Sequence, residues 1–228
     1  KYCISGGAAL PHALLNKVEE TLKISVIEGY GLTETSPVIA VNTFKDGSVP
    51  GSVGPIIPNV DVKIINESGE EKILGEIGEI LVRGETVMQG YWNLPKETNE
   101  TITSDGWLKT GDLGHLDKKK RLFISAGRKK DLIIRAGENI SPLAIENVLM
   151  NHPAILEVAA VGVPDKRTGE RVKVCIVLRQ GAIATDSELK SFCRENLAAF
   201  MTPDYFQFMS ELPKTATGKI LKSELKKN

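Results

Sequence analysis

Residues 29–35, GYGLTET, carry the first side chains in the chain that could do chemistry. The two glycines would let the backbone pass close to a flat or phosphorylated ligand. The hydroxyl of Thr33 could donate to a phosphate, and the carboxylate of Glu34 could bind Mg²⁺ through a hard oxygen. A turn from a strand to a helix with a Thr cap would explain the same string without any ligand, so composition alone leaves both interpretations open.

Two short strings further along the chain could bind the sugar and phosphate of a nucleotide. Asp112 follows a glycine in TGD, residues 110–112, where its carboxylate could accept both hydroxyls of a ribose. Arg128, in GRKKD at residues 127–131, could contact a phosphate or a ribose. Each string has a simpler alternative, because TGD is common in turns and the basic string also fits a linker, a localisation signal or an RNA-binding patch.

Two strings in the C-terminal part could serve a ligand or a reaction. Gly137 begins GENISP, residues 137–142, and would let a hairpin loop press against a narrow ligand. Lys219 follows a glycine in PKTATGKI, residues 213–220, where a mobile loop could carry its charge into a cleft and offset developing phosphate charge. A basic linker with a capped helix would explain the first string, and a solvated tail lysine the second.

The elements that must position these strings change in character along the chain. Residues 1–47 have an α/β pattern, with short strands at residues 2–4 and 24–27 and a helix between them. Residues 48–126 contain closely spaced short strands separated by Gly and Pro, which predicts a small antiparallel β-barrel subdomain. Together these two parts form one predicted domain, residues 1–126.

Residues 127–228 are predicted to form a second, α+β domain, with Ser125-Ala126-Gly127 as the linker. One helix should begin at Pro142, and Asp186 should act as the N-cap of another. The predicted strands of this domain lie at residues 132–134, 158–161, 172–178 and 205–208.

Composition narrows the class of protein. Hydrophobic residues make up 41% of the chain and charged residues 25%, an ordinary globular balance. The 29 basic and 29 acidic residues cancel, so no net field favours nucleic acid or membrane. Three widely spaced cysteines fit a reducing, cytoplasmic compartment. Seven basic residues from Lys118 to Lys130 still leave a second hypothesis open, a basic nucleic-acid-binding module.

Taken together and in this order, the strings resemble the adenylate-forming acyl-CoA synthetase superfamily. The resemblance runs from SGGAAL at residues 5–10 to TGKILKSEL at residues 217–225, and it is strongest to the free-standing CoA ligases. MQGYWN at residues 88–93 resembles both fatty-acid and aryl ligases and does not choose between them. It implies that a carboxylate reacts with ATP to give an acyl-adenylate and pyrophosphate. A C-terminal α+β lid domain then turns, and the thiol of CoA takes the acyl group. Mg²⁺ is the implied cofactor, and nucleic acid is not an implied partner.

The resemblance also assigns roles to individual residues. Glu34 matches the Mg²⁺ carboxylate, and Lys219 matches the lysine that bridges the substrate carboxylate and the α-phosphate. Gly137 and Glu138 lie in the loop that lines the CoA tunnel, and Lys130 falls at the hinge. The implied nucleotide-binding residues are Gly7, Ala8, Gly29, Tyr30, Thr33, Asp112 and Arg128.

One family feature is not found in the sequence. A phosphate-binding loop of the type TSGTTGKP should precede SGGAAL, and the chain instead begins with Lys1 shortly before it. We therefore expect a fragment that is inactive by itself. The full-length protein would use ATP, CoA and a carboxylic acid, expected to be a fatty acid, and a peripheral membrane contact remains open for it.

Overall fold

The computed structural model describes residues 2–7, 10, 12–45, 47, 49 and 51–227. The chain divides into two compact units, Lys1–Lys129 and Lys130–Asn228. Each is described below by itself. The boundary predicted between residues 126 and 127 falls inside a strand, Arg121–Arg128, and the assignment of functional domains stays a prediction.

The first unit begins with a small α/β sheet. Strand β1 (Tyr2–Ser5) is followed by helix α1 (His12–Leu22), strand β2 (Ser25–Gly31) and strand β3 (Val38–Val41). β1 and β2 are parallel, which the intervening helix makes possible, and β3 pairs antiparallel with β2. The predicted α/β segment is therefore confirmed.

A five-stranded antiparallel sheet forms the rest of the first unit. Its elements are β4 (Ser52–Pro55), β5 (Val60–Ile65), β6 (Gly78–Gly84), β7 (Leu108–Leu116) and β8 (Arg121–Arg128), with helix α2 (Pro95–Thr101) between β6 and β7. The strand order is β4-β8-β7-β6-β5. Ile80 and Leu122 from this sheet share a buried core with Ile39 of β3.

The predicted barrel is not closed. Within the described residues, β4 and β5 are the two edges of the sheet and do not pair with each other. The antiparallel strands are confirmed, but closure depends on how far the sheet curls. The alternation of side chains within single strands carries no information about that curl.

The second unit is α+β, as predicted. Its elements are β9 (Ile133–Arg135), β10 (Glu138–Ile140), α3 (Pro142–Leu149), β11 (Ile155–Asp165), β12 (Gly169–Leu178), α4 (Asp186–Asn196), β13 (Tyr205–Phe208) and α5 (Lys222–Leu225). β12 pairs antiparallel with β9 and β11 and parallel with β13. One face of the sheet packs on residues of α3 and α4, and the other face packs on Leu212 and Leu225.

Helix caps in this unit correct one prediction. α3 begins at Pro142 as expected, and the Oγ of Ser141 accepts a hydrogen bond from the Ala144 N–H at 3.2 Å. The N-cap of α4 is Thr185 and not Asp186, because the Thr185 Oγ1 accepts from the Glu188 N–H at 3.2 Å. Glu188 completes the capping box through its side chain, a pairing three residues apart that the prediction overlooked. Among the described residues, no helix is both long and apolar enough to cross a membrane.

Candidate functional site

A buried carboxylate lies at the centre of the first unit's candidate site. Asp112 on β7 accepts a hydrogen bond from the Tyr30 hydroxyl at 2.6 Å, and its other oxygen lies 3.1 Å from Arg128 Nε. Asp112 and Arg128 are direct cross-strand partners, whereas Tyr30 comes from β2 of the other sheet. The side chain of Asp112 is only 9% exposed. The fold thus brings together three of the predicted nucleotide-binding residues.

A bulge in β7 aims this carboxylate. The pairing of β6 with β7 passes from Leu81↔Lys109 to Glu79↔Leu113, so residues 110–112 leave the regular ladder. Gly111 has a positive φ of 71°, which glycine adopts without strain. The Thr110 Oγ1 donates to a backbone carbonyl of β6 and accepts from the Asp112 N–H at 3.0 Å. Thr110 was not predicted as a site residue, although it belongs to the TGD string.

The phenol of Tyr30 acts here as a hydrogen-bond donor. Burial, and secondly the negative charge of Asp112, raise the pKa of the Tyr30 phenol well above its ordinary range. The hydroxyl therefore stays protonated at neutral pH and keeps donating to the carboxylate. Each Asp112 oxygen has two lone pairs, so the carboxylate can accept hydrogen bonds from a ligand in addition to these contacts.

Glu34 lies on a short 3₁₀ turn, Thr33–Thr35, between β2 and β3. The Tyr91 hydroxyl donates to Glu34 Oε1 at 2.8 Å, and burial and this bond raise the pKa of Tyr91. The N-cap of this turn is Leu32, so the alternative of a Thr cap does not hold. Thr35, at the third position of the turn, bonds back to Leu32 through its buried hydroxyl, whereas Thr33 is exposed. The hydrogen bond from Tyr91 thus holds one oxygen of Glu34, Oε1, in a fixed place.

The donor set suits a magnesium ion bound mainly by a substrate. No group of three or more His, Cys, Asp or Glu side chains that could hold a metal occurs in the part of the chain that the structure describes. A single fixed carboxylate fits Mg²⁺, which usually keeps several waters and binds one or two carboxylates together with phosphates. Tyr91 was not predicted as a site residue. Its position in MQGYWN, 57 residues after Glu34, gave no sign of the contact.

The glycines at the ends of β1 and β2 bring two backbones close together. A Cβ at Gly6 would lie 3.4 Å from the Gly29 carbonyl oxygen, and Gly7 has a positive φ of 86°. The ends of these two parallel strands form an edge of the kind where α/β sheets bind ligands. Predicted residues Gly7 and Gly29 therefore lie in neighbouring segments, and Ala8 lies outside the described residues. The glycine at position 31 is explained by packing alone, since a Cβ there would lie 1.7 Å from the Pro37 carbonyl oxygen.

The second unit presents the predicted CoA loop as a tight hairpin. β9 and β10 are joined at Ala136 and Gly137, which both have positive φ, as a type I′ turn requires. Gly137 and Glu138 are exposed. Arg135 fixes the base of the hairpin by donating to the carbonyls of Phe200 and Thr202 at 3.2 Å, and it also pairs with Asp204.

Lys219 lies on a second hairpin, residues 213–221. The Thr215 N–H donates to the Lys219 carbonyl at 2.8 Å, and the Lys219 N–H donates to Thr215 Oγ1 at 3.1 Å. Gly218 forms the turn with a positive φ of 83°, and Lys219 itself is exposed. Lys130, the predicted hinge residue, is exposed on a 3₁₀ turn, Lys129–Asp131.

The basic run does not form a uniform positive face. Three of its members pair with carboxylates of the first unit: Arg121 with Asp117 at 2.7 Å, Arg128 with Asp112 at 3.1 Å, and Lys129 with Glu79 at 2.9 Å. Such pairing reduces the charge available to nucleic acid phosphates, the contacts on which that hypothesis depends.

Comparison with known proteins identifies the family. Residues 1–92 match the sequence model described as AMP-binding enzyme, and residues 144–219 match AMP-binding enzyme C-terminal domain. A long-chain-fatty-acid–CoA ligase of Bacillus subtilis is 46% identical over 99% of this chain and 40% of its own length. A sulfoacetate–CoA ligase of Cupriavidus necator is 39% identical over 99% of this chain and 44% of its own.

A solved structure agrees with these sequence matches. The ATP-bound MatB of Rhodopseudomonas palustris superposes with a TM-score of 0.94 and 34% identity, over 99% of this chain and 45% of that one. The chain thus spans less than half the length of the relatives it matches. Because two family models match in the expected order and the relatives are similar along nearly the whole chain, the chain belongs to the adenylate-forming superfamily of AMP-binding enzymes that includes the acyl-CoA synthetases.

Proposed function

We propose that the full-length protein is an ATP-dependent acyl-CoA synthetase. It would convert a carboxylate and ATP to an acyl-adenylate and pyrophosphate, and then transfer the acyl group to CoA. The observation that carries this proposal is the buried Asp112 carboxylate held by Tyr30 and Arg128. We assign to it the ribose-binding role that the sequence resemblance implies for this residue. The CoA ligases among the relatives support the reaction type.

In this proposal the first unit binds the nucleotide and the metal. Asp112 accepts the ribose hydroxyls, and Arg128, whose side chain is 45% exposed, makes a second ribose contact. Thr33 donates to a phosphate. Glu34, fixed by Tyr91, is the residue that would hold Mg²⁺. When bound, the ion offsets the negative charge of the phosphates that the attacking carboxylate must approach.

The two exposed hairpins of the second unit serve different half-reactions in this proposal. Lys219 offsets charge where the carboxylate meets the α-phosphate. Gly137 and Glu138 line the path of the CoA thiol, and Lys130 is the hinge. Separate hairpins give each half-reaction its own loop.

We propose a fatty acid as the carboxylate, because several similar relatives are long-chain-fatty-acid–CoA ligases. The sulfoacetate ligase shows that relatives of similar identity use other acids. We also propose that these 228 residues alone do not form an adenylate, since they span 40% of the Bacillus subtilis ligase and the sequence holds no TSGTTGKP-type phosphate loop.

The test is ATP–pyrophosphate exchange by the full-length protein with a panel of acids that includes palmitate, octanoate, benzoate and sulfoacetate. We expect exchange with a fatty acid, and an increase in the KM for ATP of about tenfold or more in Asp112→Asn, the scale for losing a charged hydrogen-bond partner. Asp61→Asn is the matched control, because Asp61 is an exposed carboxylate of the same sheet. Absence of exchange with every acid would contradict the synthetase proposal.

A further inference from the structure

The hairpin that carries Lys219 is tied to β11 and to α3 by two ion pairs. Lys214, on its first strand, lies 2.6 Å from Glu157 Oε1 on β11. Lys222, directly after the hairpin, lies 2.7 Å from Glu146 Oε1 on α3. That same Glu146 oxygen also accepts the Ala160 N–H of β11 at 2.8 Å. One ion pair therefore holds the first strand of the hairpin, and the other holds the residue that directly follows it.

A β-bulge turns Glu157 toward the hairpin. β11 pairs with β12 as Ile155↔Leu178 and then Glu157↔Val177, so Leu156 is an extra residue. In a regular strand Ile155 and Glu157 would share a face, because side chains alternate with period two. The bulge instead leaves Ile155 in the core beneath α3 and α4. Glu157 is then two residues before Ala159, which faces the opposite side of the sheet.

That opposite side is where the hairpin is anchored. Leu212 precedes the hairpin and Leu225 follows it, and both are buried in a cluster with Ala159 and Val161 of β11. Ile220 of the hairpin packs against the same cluster. The apolar residues hold the two ends of the hairpin, and the Lys214–Glu157 pair lies next to the segment that leads to the turn.

The Glu157 carboxylate depends on Lys214 as the partner for its negative charge. Its Oε2 is buried and has no hydrogen-bond partner among the described residues, while its Oε1 is bound by Lys214. The Glu157 side chain as a whole is 30% exposed, so the pair is partly screened by water, and its covered oxygen adds to the cost of losing the lysine. Removing either charge therefore disturbs both the strand and the hairpin, and a long exposed lysine is held in a single position.

We propose that Glu157 is a positioning residue for Lys219, acting through Lys214 and the hydrogen bonds between Thr215 and Lys219. The proposal rests on the adenylation role proposed above for Lys219. The bulge at Leu156 directs this carboxylate to the hairpin, and the ion pair fixes the direction from which the Lys219 charge is presented. Glu157 itself does not touch the substrate.

The first test is hydrogen exchange of the 228-residue chain. Glu157→Gln and Lys214→Met should each speed exchange of the Thr215, Lys219 and Leu221 amides roughly fivefold, the upper end for a partly exposed ion pair. Amides of Val174 and Ile176 in β12 should not change. Glu224→Gln is the matched control, because it removes the exposed Lys227–Glu224 pair close to the hairpin. Unchanged exchange in the hairpin would overturn the anchoring.

The second test uses the full-length enzyme and separates the two half-reactions. Glu157→Gln should lower the kcat of adenylation roughly 5- to 10-fold with little change in the KM for ATP, because misplacement of a reacting group acts on the rate. Conversion of supplied acyl-adenylate to acyl-CoA should stay within about twofold, and the double variant E157K/K214E should recover most of the adenylation rate. Equal loss in both half-reactions, or no recovery in the charge swap, would overturn the positioning role.

The two tests also separate this inference from the function on which it rests. If the unaltered full-length protein forms no adenylate, the proposed function fails, and hydrogen exchange still decides whether the anchor exists. If adenylation is normal and insensitive to Glu157→Gln, the function stands and the positioning role is wrong.

Discussion

Removal of one hydroxyl, in Tyr30→Phe, tests the centre of the candidate site. Phe keeps the ring and its packing, so the variant deletes the hydroxyl with its 2.6 Å hydrogen bond to Asp112 and its contact with the Thr110 side chain. Hydrogen bonds to charged groups contribute about 1.5–3 kcal/mol, and the Asp112 side chain is only 9% exposed, so water replaces the donor poorly. We expect the free energy of unfolding to fall by about 2 kcal/mol.

Urea unfolding followed by tryptophan fluorescence measures this effect. Both tryptophans of the chain, Trp92 and Trp107, lie in the first unit, and Trp107 is buried, so the signal reports on the unit that contains the site. Tyr91→Phe is the matched control. It also deletes a hydroxyl–carboxylate bond, but Glu34 is less buried, and we expect about 1 kcal/mol or less.

A double-mutant cycle decides whether the loss belongs to this contact. In an Asp112→Asn background, Tyr30→Phe should cost about 1 kcal/mol or less, because Asn leaves only a neutral acceptor for the hydroxyl. A loss of about 2 kcal/mol in both backgrounds, or no loss in either, would refute the claim that Tyr30 stabilises the Asp112 carboxylate.

Three further predictions follow from burial and close approach. Gly31→Ala should destabilise the first unit by about 3 kcal/mol in urea unfolding, since its Cβ would lie 1.7 Å from the Pro37 oxygen, whereas Gly29→Ala, with contacts of 3.4 Å and longer, should be tolerated. The pKa of Tyr30 is raised in the folded state, so its stabilising contribution is present below about pH 10 and is lost as pH rises further. The unaltered chain should therefore lose more free energy of unfolding between about pH 9 and 11 than the Tyr30→Phe variant does. Equal losses in the two proteins would contradict this. Burial raises the pKa of Cys193 to about 11, so at about pH 8 a thiol reagent should modify exposed Cys3 quickly and Cys193 only in urea, and rapid reaction of Cys193 in the native chain would show that it is accessible.

The sequence singled out those candidate residues that stand in local strings, and their roles stay predictions. Gly29, Asp112 and Arg128 stand out because a glycine or a charge interrupts a strand-like pattern, and the structure places them on β2, β7 and β8. Ser141 and Pro142 likewise start α3 through contacts within one turn. Features that depend only on neighbouring residues can be predicted from the sequence.

The features that the sequence did not predict depend on contacts between distant parts of the chain. Tyr91 contacts Glu34 across 57 residues, and the bulge at Leu156 is defined by pairing with β12. The open edge of the antiparallel sheet likewise follows from curvature and not from any one strand. Neither a propensity nor a motif specifies such contacts, because they arise only when separate elements pack together.

Lys219→Ala in the full-length protein provides the most direct test of the synthetase proposal, measured in each half-reaction. With ATP and a fatty acid, adenylation should fall roughly 10²–10³-fold, the scale for removing one preorganised transition-state donor. With synthetic acyl-adenylate and CoA, the rate should stay near normal, whereas Gly137→Leu should slow this second step and spare the first. Equal failure of both half-reactions in Lys219→Ala would contradict the assignment of Lys219 to adenylation and indicate a structural role instead.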